Sequence, residues 1–200
     1  MKNKLLISML TLLFVNILNI ANAQRDVTKF MGIPIDGTYQ EMEKKLVEKG
    51  FKVGRYDPSG HREDYLFGMF NDKFVNLYIV TYKQKVYRIV VRYETRYSDC
   101  VAIKGMFNEL CWQFENNPKY KTDEPNQRLP TNYNVEYEMN INKQRPECYF
   151  YQISNTTKKI DFNKCVWFMI HQEEHDNKTY YGIIMFYDNL YNYPNGGDDL

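Results

Sequence analysis

The sequence predicts an α+β protein of two tandem units, each a helix followed by an antiparallel β-sheet. Three observations predict it. Helix-period stretches with their own start signals begin near Thr38 and Ser98, alternating Tyr-rich stretches follow each, and both halves of the 200-residue chain share one order of elements. The halves do not align residue for residue, so the repeat is one of element order.

Residues 1–23, "MKNKLLISMLTLLFVNILNIANA", put Lys2 and Lys4 before an apolar run from Leu5 to Ile20 and end on the small-x-small site Ala21-Asn22-Ala23. That is the pattern of a secretory signal peptide. The alternative, an uncleaved anchor, is opposed by a short run that Asn16 and Asn19 interrupt. No Cys stands at the cleavage site, which disfavours a lipoprotein. The expectation is an exported protein, periplasmic or secreted, with no transmembrane segment after cleavage. Removing Lys2 and Lys4 leaves 24 basic against 25 acidic residues, so no electrostatic case for nucleic acid remains. All 18 Tyr and 11 of the 12 Phe lie beyond residue 23, enough aromatic volume for a real core.

The first unit, 24–97, opens on "GIPIDGTYQEMEKKLVEKGF". Thr38 followed three residues later by Glu41 is a capping box. Tyr39, Met42 and Leu46 recur at helical spacing, and Gly50 suits the left-handed residue beyond the end, with Phe51 folding back onto Leu46. Nothing in this helix does chemistry; it is a cover for a sheet. "FKVGRYD" adds a leading strand, and "DPSGHRE", Asp57 to Glu63, is a turn-rich loop. Glu63 to Glu94 reads as three strands joined at Asn71-Asp72 and Lys83-Gln84.

The second unit, 98–192, begins with the Ser98-Asp99 cap and "CVAIKGMFNELCWQFENNP", a helix stopped by Pro118. Strand candidates are Cys148 to Ser154, Cys165 to His171 and Thr179 to Asp188. The intervening Lys119 to Pro146 is long for a connection, a place where function is often found, with a strand expected near Asn134 to Ile141. The tail 193–200, "YPNGGDDL", is expected to be disordered.

Four Cys in an exported chain invite two disulfides. Cys100 and Cys111 stand on one helix face about 16 Å apart and cannot join each other. Bridges would run from them to Cys148 and Cys165, in either pairing. The alternative is four small buried side chains, since Cys100, Ile103, Phe107, Cys111 and Phe114 form the core stripe of the helix. No spacing favours zinc. "HQEEH", His171 to His175, matches the H-x-x-E-H pattern of inverted zinc peptidases, but that chemistry needs a helix; its flanks are strands, which would part the two His by about 13 Å. His61 has no nucleophile motif around it, and no P-loop, G-x-S-x-G or dinucleotide turn occurs. Asn155 and Asn177 carry glycosylation sequons. No cofactor or metal is expected.

With two-residue turns throughout, one face of the first sheet would carry Tyr65, Phe67, Met69, Phe74, Tyr78, Val80, Tyr82, Tyr87, Ile89, Val91 and Tyr93, with Tyr78 opposite Ile89 and Val80 opposite Tyr87. The other would carry Leu66, Val75, Leu77 and Ile79 with Arg88 and Arg92. Neither face is polar, although a sheet covered on one side should show one polar face. One buries the helix. The other meets the second unit or a partner.

At "MGIPIDGTYQEMEKKLVEKGF", "FNDKFVNLYIV" and "KVYRIVVRY" the chain resembles uncharacterised exported proteins of gut-type Bacteroidetes. Its architecture is similar to small periplasmic folds in which a helical segment precedes an antiparallel sheet, such as the BamE-like outer-membrane components and the tandem β-lactamase inhibitor protein. The chain lacks the lipid-anchoring Cys of the BamE-like proteins, and no inhibitor contact residue matches by position. The expected function is an exported non-enzymatic binding or inhibitory module for a protein or extracellular ligand, acting through Tyr65, Phe67, Phe74, Tyr78, Tyr82, Tyr87, Tyr93 and the loops. The alternative is an envelope hydrolase with an unassigned carboxylate or His site.

Overall fold

The computed structural model describes residues 26–56, 63–154 and 157–193. The expected signal peptide, most of the loop holding His61, the Asn155 sequon and the tail after Tyr193 lie outside the described residues. The protein is α+β, dominated by one eight-stranded antiparallel sheet.

A two-stranded ribbon, β1 (Lys29–Phe30) with β2 (Ile33–Pro34), leads into helix α1 (Tyr39–Glu48). Its cap is the expected box: Thr38 Oγ1 accepts from the Glu41 amide at 3.3 Å, and Glu41 Oε2 accepts from the Thr38 amide at 2.9 Å. At the other end Gly50 has φ +100°, and the Phe51 amide donates to Leu46 O at 3.2 Å, which closes a Schellman motif. Thr38→Ala should lower the unfolding free energy by about 1 kcal/mol in urea melts, the ordinary cost of a lost cap.

Four strands follow: β3 (Lys52–Tyr56), β4 (Glu63–Phe70), β5 (Lys73–Tyr82) and β6 (Lys85–Tyr93). The turns between β4, β5 and β6 fall at the expected dipeptides, each with both residues at positive φ (Asn71 51° and Asp72 57°; Lys83 46° and Gln84 67°). Then come α2 (Cys100–Glu115), β7 (Tyr120–Lys121), α3 (Val135–Asn140), β8 (Glu147–Gln152), β9 (Lys164–His175) and β10 (Lys178–Asn189). The strand expected near Asn134 to Ile141 is instead helix α3. "VEYEM" alternates apolar and polar, but Asn134 Oδ1 caps the Tyr137 amide at 3.0 Å, and the buried pair Val135 and Met139, four apart, lies on one helix face.

The strand order is β3-β4-β5-β6-β10-β9-β8-β7. The first half supplies α1 and four strands of this sheet and the second supplies α2, α3 and the other four, yet neither has a sheet of its own, because β6 pairs with β10 from Arg88↔Asp188 to Arg92↔Ile184. Both longer helices pack on one side of this sheet. There the core is a single cluster that runs from Met42 and Leu46 of α1 through Leu77, Ile89 and Val91 to Phe107, Phe150 and Phe168. Phe114 of α2 stacks on Phe150 at 5.0 Å, and Phe107 meets Phe168 edge-on at 5.2 Å.

One irregularity decides which side chains share a face. Opposite Val80 and Thr81 the register shifts: Thr81 pairs with Val86, but Val80 pairs with Arg88, which leaves Tyr87 as the extra residue of a β-bulge. Beyond it Tyr78 stands opposite Val90, not Ile89, and Val80 opposite Arg88, not Tyr87. The slip by one residue exchanges the faces of the rest of β6. Ile89, Val91 and Tyr93 turn into the helix-side core, where Tyr93 is only 2% exposed, and Arg88, Val90 and Arg92 turn outward.

Candidate functional site

The face of the sheet away from the helices is covered by no element among the described residues. Alternation places on it Tyr65, Phe67 and Met69 of β4, Phe74, Asn76, Tyr78, Val80 and Tyr82 of β5, and Tyr87 with Arg88 from the bulge. Six of the seven aromatic residues expected on a binding face are therefore together. The seventh, Tyr93, is not: the bulge has buried it on the opposite side.

At the β4–β5 end, Tyr65, Phe67, Phe74, Asn76 and Glu94 line a shallow hollow of about 420 Å³. Phe67, Met69 and Phe74 are 40%, 49% and 65% exposed. Tyr65 lies flat over Gly54, its cross-strand partner; a Cβ there would stand 2.6 Å from the Tyr65 ring, so only glycine admits this seat. Tyr65 in turn meets Phe67 at 6.4 Å and Tyr78 at 6.2 Å. The Asn76 amide donates to Glu94, closing one wall.

The second half extends this face in a way the alternation of its strands signals but the sequence reading did not use. Tyr149, Trp167 and Phe186 stand directly opposite one another on β8, β9 and β10. Their rings stack at 5.5 Å and 4.0 Å with planes 15° and 16° apart. Arg88 lies 5.0 Å from the Phe186 centroid and 5.6 Å from that of Tyr87, which itself stacks on Tyr193 at 4.7 Å. Tyr193 also meets Tyr82 edge-on at 5.5 Å, so the first residue of the expected tail 193–200 is packed against the face. Because the rings stack on one another, their faces are occupied and their edges point outward.

Asp188 anchors this band. Its carboxylate accepts Arg88 Nε at 2.6 Å, Arg88 Nη2 at 2.8 Å and Trp167 Nε1 at 3.0 Å. The carboxylate holds the guanidinium in its charged form more firmly than usual, against the opposing effect of burial. Glu173 is held in the same manner by Arg92 and Arg96. Buried Asp188 and half-buried Glu173 are thus tied to arginines and do not converge as an acid–base pair.

His171 and His175 both stand on strand β9. Burial and the nearby Arg92 push His171 below its ordinary range, and it lies over Gly182, while His175 is exposed beside Asp176 at the hairpin tip. Among the described residues no three His, Cys, Asp or Glu side chains are grouped to hold a metal ion. No helix among the described residues is long and apolar enough to cross a membrane. The Lys119 to Pro146 segment is tied to the body at two points: Asn108 of α2 exchanges two hydrogen bonds with Leu129, and the Gln127 side chain exchanges two with the backbone of Tyr149.

The four cysteines are free thiols. Cys111 and Cys148 face each other in the core with sulfurs 3.3 Å apart. Cys165 cannot join either scheme of two bridges, because strand parity puts it on the helix-free face beside Asp188, while Cys100 sits on the helix side near Tyr181. Burial, with Asp188 adding to it, pushes the Cys165 thiol up to about 12. Under a thiol–disulfide oxidant, non-reducing peptide mapping should find Cys111 joined to Cys148 and no bridge at Cys165; a Cys165 bridge would overturn the sheet register.

No family model, no curated protein and no solved structure matches the chain, so its functional reading rests on this geometry.

Proposed function

We propose that the protein is an exported, non-enzymatic binding or inhibitory module that docks a protein partner on the helix-free face of its sheet. The hollow of Tyr65, Phe67 and Phe74 at the edge of the aromatic band carries this reading. Exposed apolar patches of this kind mark interaction surfaces on monomers, and aromatic side chains supply large contact area at small entropic cost. Arg88 and Arg92 of the face are paired with Asp188 and Glu173, so these charges are compensated before a partner arrives. The hollow is lined mainly by aromatic rings, which favours an apolar loop or side chain entering it. In the same reading the chain is two tandem helix-plus-sheet units fused edge to edge through β6 and β10.

Capture from the exported proteins of the native host tests it, with wild-type, Phe74→Ser and Tyr78→Ala proteins as bait. A partner held by wild type should bind each variant more weakly by about 2 kcal/mol, roughly thirtyfold, as for interface anchors. Equal capture by all three baits, each folded at the capture temperature, would remove the face from the function.

A further inference from the structure

On the helix side of the sheet, between the β1–β2 ribbon, the end of α2 and the start of β7, lies a cavity of about 860 Å³. Its floor is apolar, formed by Phe70, Leu110, Phe114 and Met185. Above it three phenols, Tyr93, Tyr120 and Tyr187, reach the cavity wall. Burial holds all three in the neutral form, so each brings an O–H. Tyr120 and Tyr187 bear on each other, and Gln152 donates to Tyr120 at 3.2 Å. Tyr93 is different: its hydroxyl is buried with no hydrogen bond of normal geometry. Asn71 is the nearby polar group that favours its ionised form, and its amide also donates to Gln113 at 2.9 Å. That hydroxyl is closed off from the cavity, so the polar contacts open to a guest lie at the rim.

The rim selects the charge of that guest. Four lysines line the cavity, Lys29, Lys119, Lys158 and Lys164, against one carboxylate, Asp26. Lys164, 1% exposed, bonds Asp26 at 2.8 Å and Ile153 O at 3.3 Å, and Lys29 shares the same carboxylate at 3.6 Å. Lys119 and Lys158 form no ion pair among the described residues.

We propose that this cavity binds a small amphipathic anion, a carboxylate with an apolar body, at a site separate from the helix-free face. Its head group lies toward Lys119 and Lys158, and its body covers Phe70, Leu110, Phe114 and Met185.

Titration calorimetry with decanoate, and with decan-1-ol as the neutral counterpart, tests this. Decanoate should bind saturably to a single site and decan-1-ol at least about tenfold more weakly, the difference the ion pairs supply. Lys119→Gln with Lys158→Gln should weaken decanoate about fivefold or more, and Tyr78→Ala, on the far side of the sheet, should leave it unchanged. No saturable heat at about 5 mM decanoate, equal affinity for decan-1-ol, or binding that survives the cavity variants and is lost in Tyr78→Ala would overturn the proposal.

Discussion

Asp188→Ala should cost about 3 kcal/mol of unfolding free energy, roughly 6–12 °C in melting temperature for a chain of this size. The carboxylate is 4% exposed and accepts three hydrogen bonds, two from Arg88 and one from the Trp167 indole. Truncating it leaves a partly buried guanidinium and an indole N–H facing the same small void. Arg88 is 27% exposed and can find some water, which holds the loss at the lower edge of what a broken buried pair costs. Adding Arg88→Leu to Asp188→Ala should return part of the stability, because the unpaired charge is then gone. A double variant no more stable than the single one would mean that the pair matters through shape and not through charge. Thermal melts of the single and double variants decide it.

Tyr93→Ala and Tyr78→Ala should differ sharply although the two tyrosines alternate into similar sequence. Tyr93 is 2% exposed and its ring packs against Phe70 at 6.5 Å, so truncation should cost about 3–5 kcal/mol, as for other buried aromatics. Tyr78 is half-buried on the helix-free face, in contact with Tyr65 at 6.2 Å, and its truncation should cost about 1 kcal/mol. Urea unfolding of both variants measures the contrast. Equal losses would mean that the bulge at Tyr87 is absent and that all of β6 keeps the simple register.

That bulge marks the limit of what the sequence discloses. The capping box at Thr38, the turns at Asn71-Asp72 and Lys83-Gln84, and the strands on either side were legible because each rests on local chemistry or on an unbroken period of two. Tyr87 was not, because "KVYRIVVRY" contains no glycine or proline to announce an extra residue, and period counting carries every later side chain to the wrong face. Hence Tyr93 was placed with Tyr65, Phe67, Phe74, Tyr78, Tyr82 and Tyr87 when its neighbours are Phe70 and Tyr187. Helix α3 was hidden for a related reason: Val135, Tyr137 and Met139 fit a period of two as well as a helical spacing of four. The band of Tyr149, Trp167 and Phe186 needs three strands in register, a long-range fact. The strand segments were found, but their pairing through β10 to β6 leaves no trace in either half read separately.

The same pairing constrains how the chain comes to be assembled. Strands β3 to β6 can zip together through connections only a few residues long, and so can β9 with β10, but β6 finds its outer neighbour only in β10, the last strand among the described residues. During synthesis its free backbone edge, with Ile89, Val91 and Tyr93 on one side and Val90 on the other, stays open while some ninety further residues are made. Such a sequence-distant closure slows folding and leaves a template for pairing between nascent copies. Any truncation before β10 makes that interval permanent, and the shortened chain should aggregate through β6 even where every residue of its own half is intact.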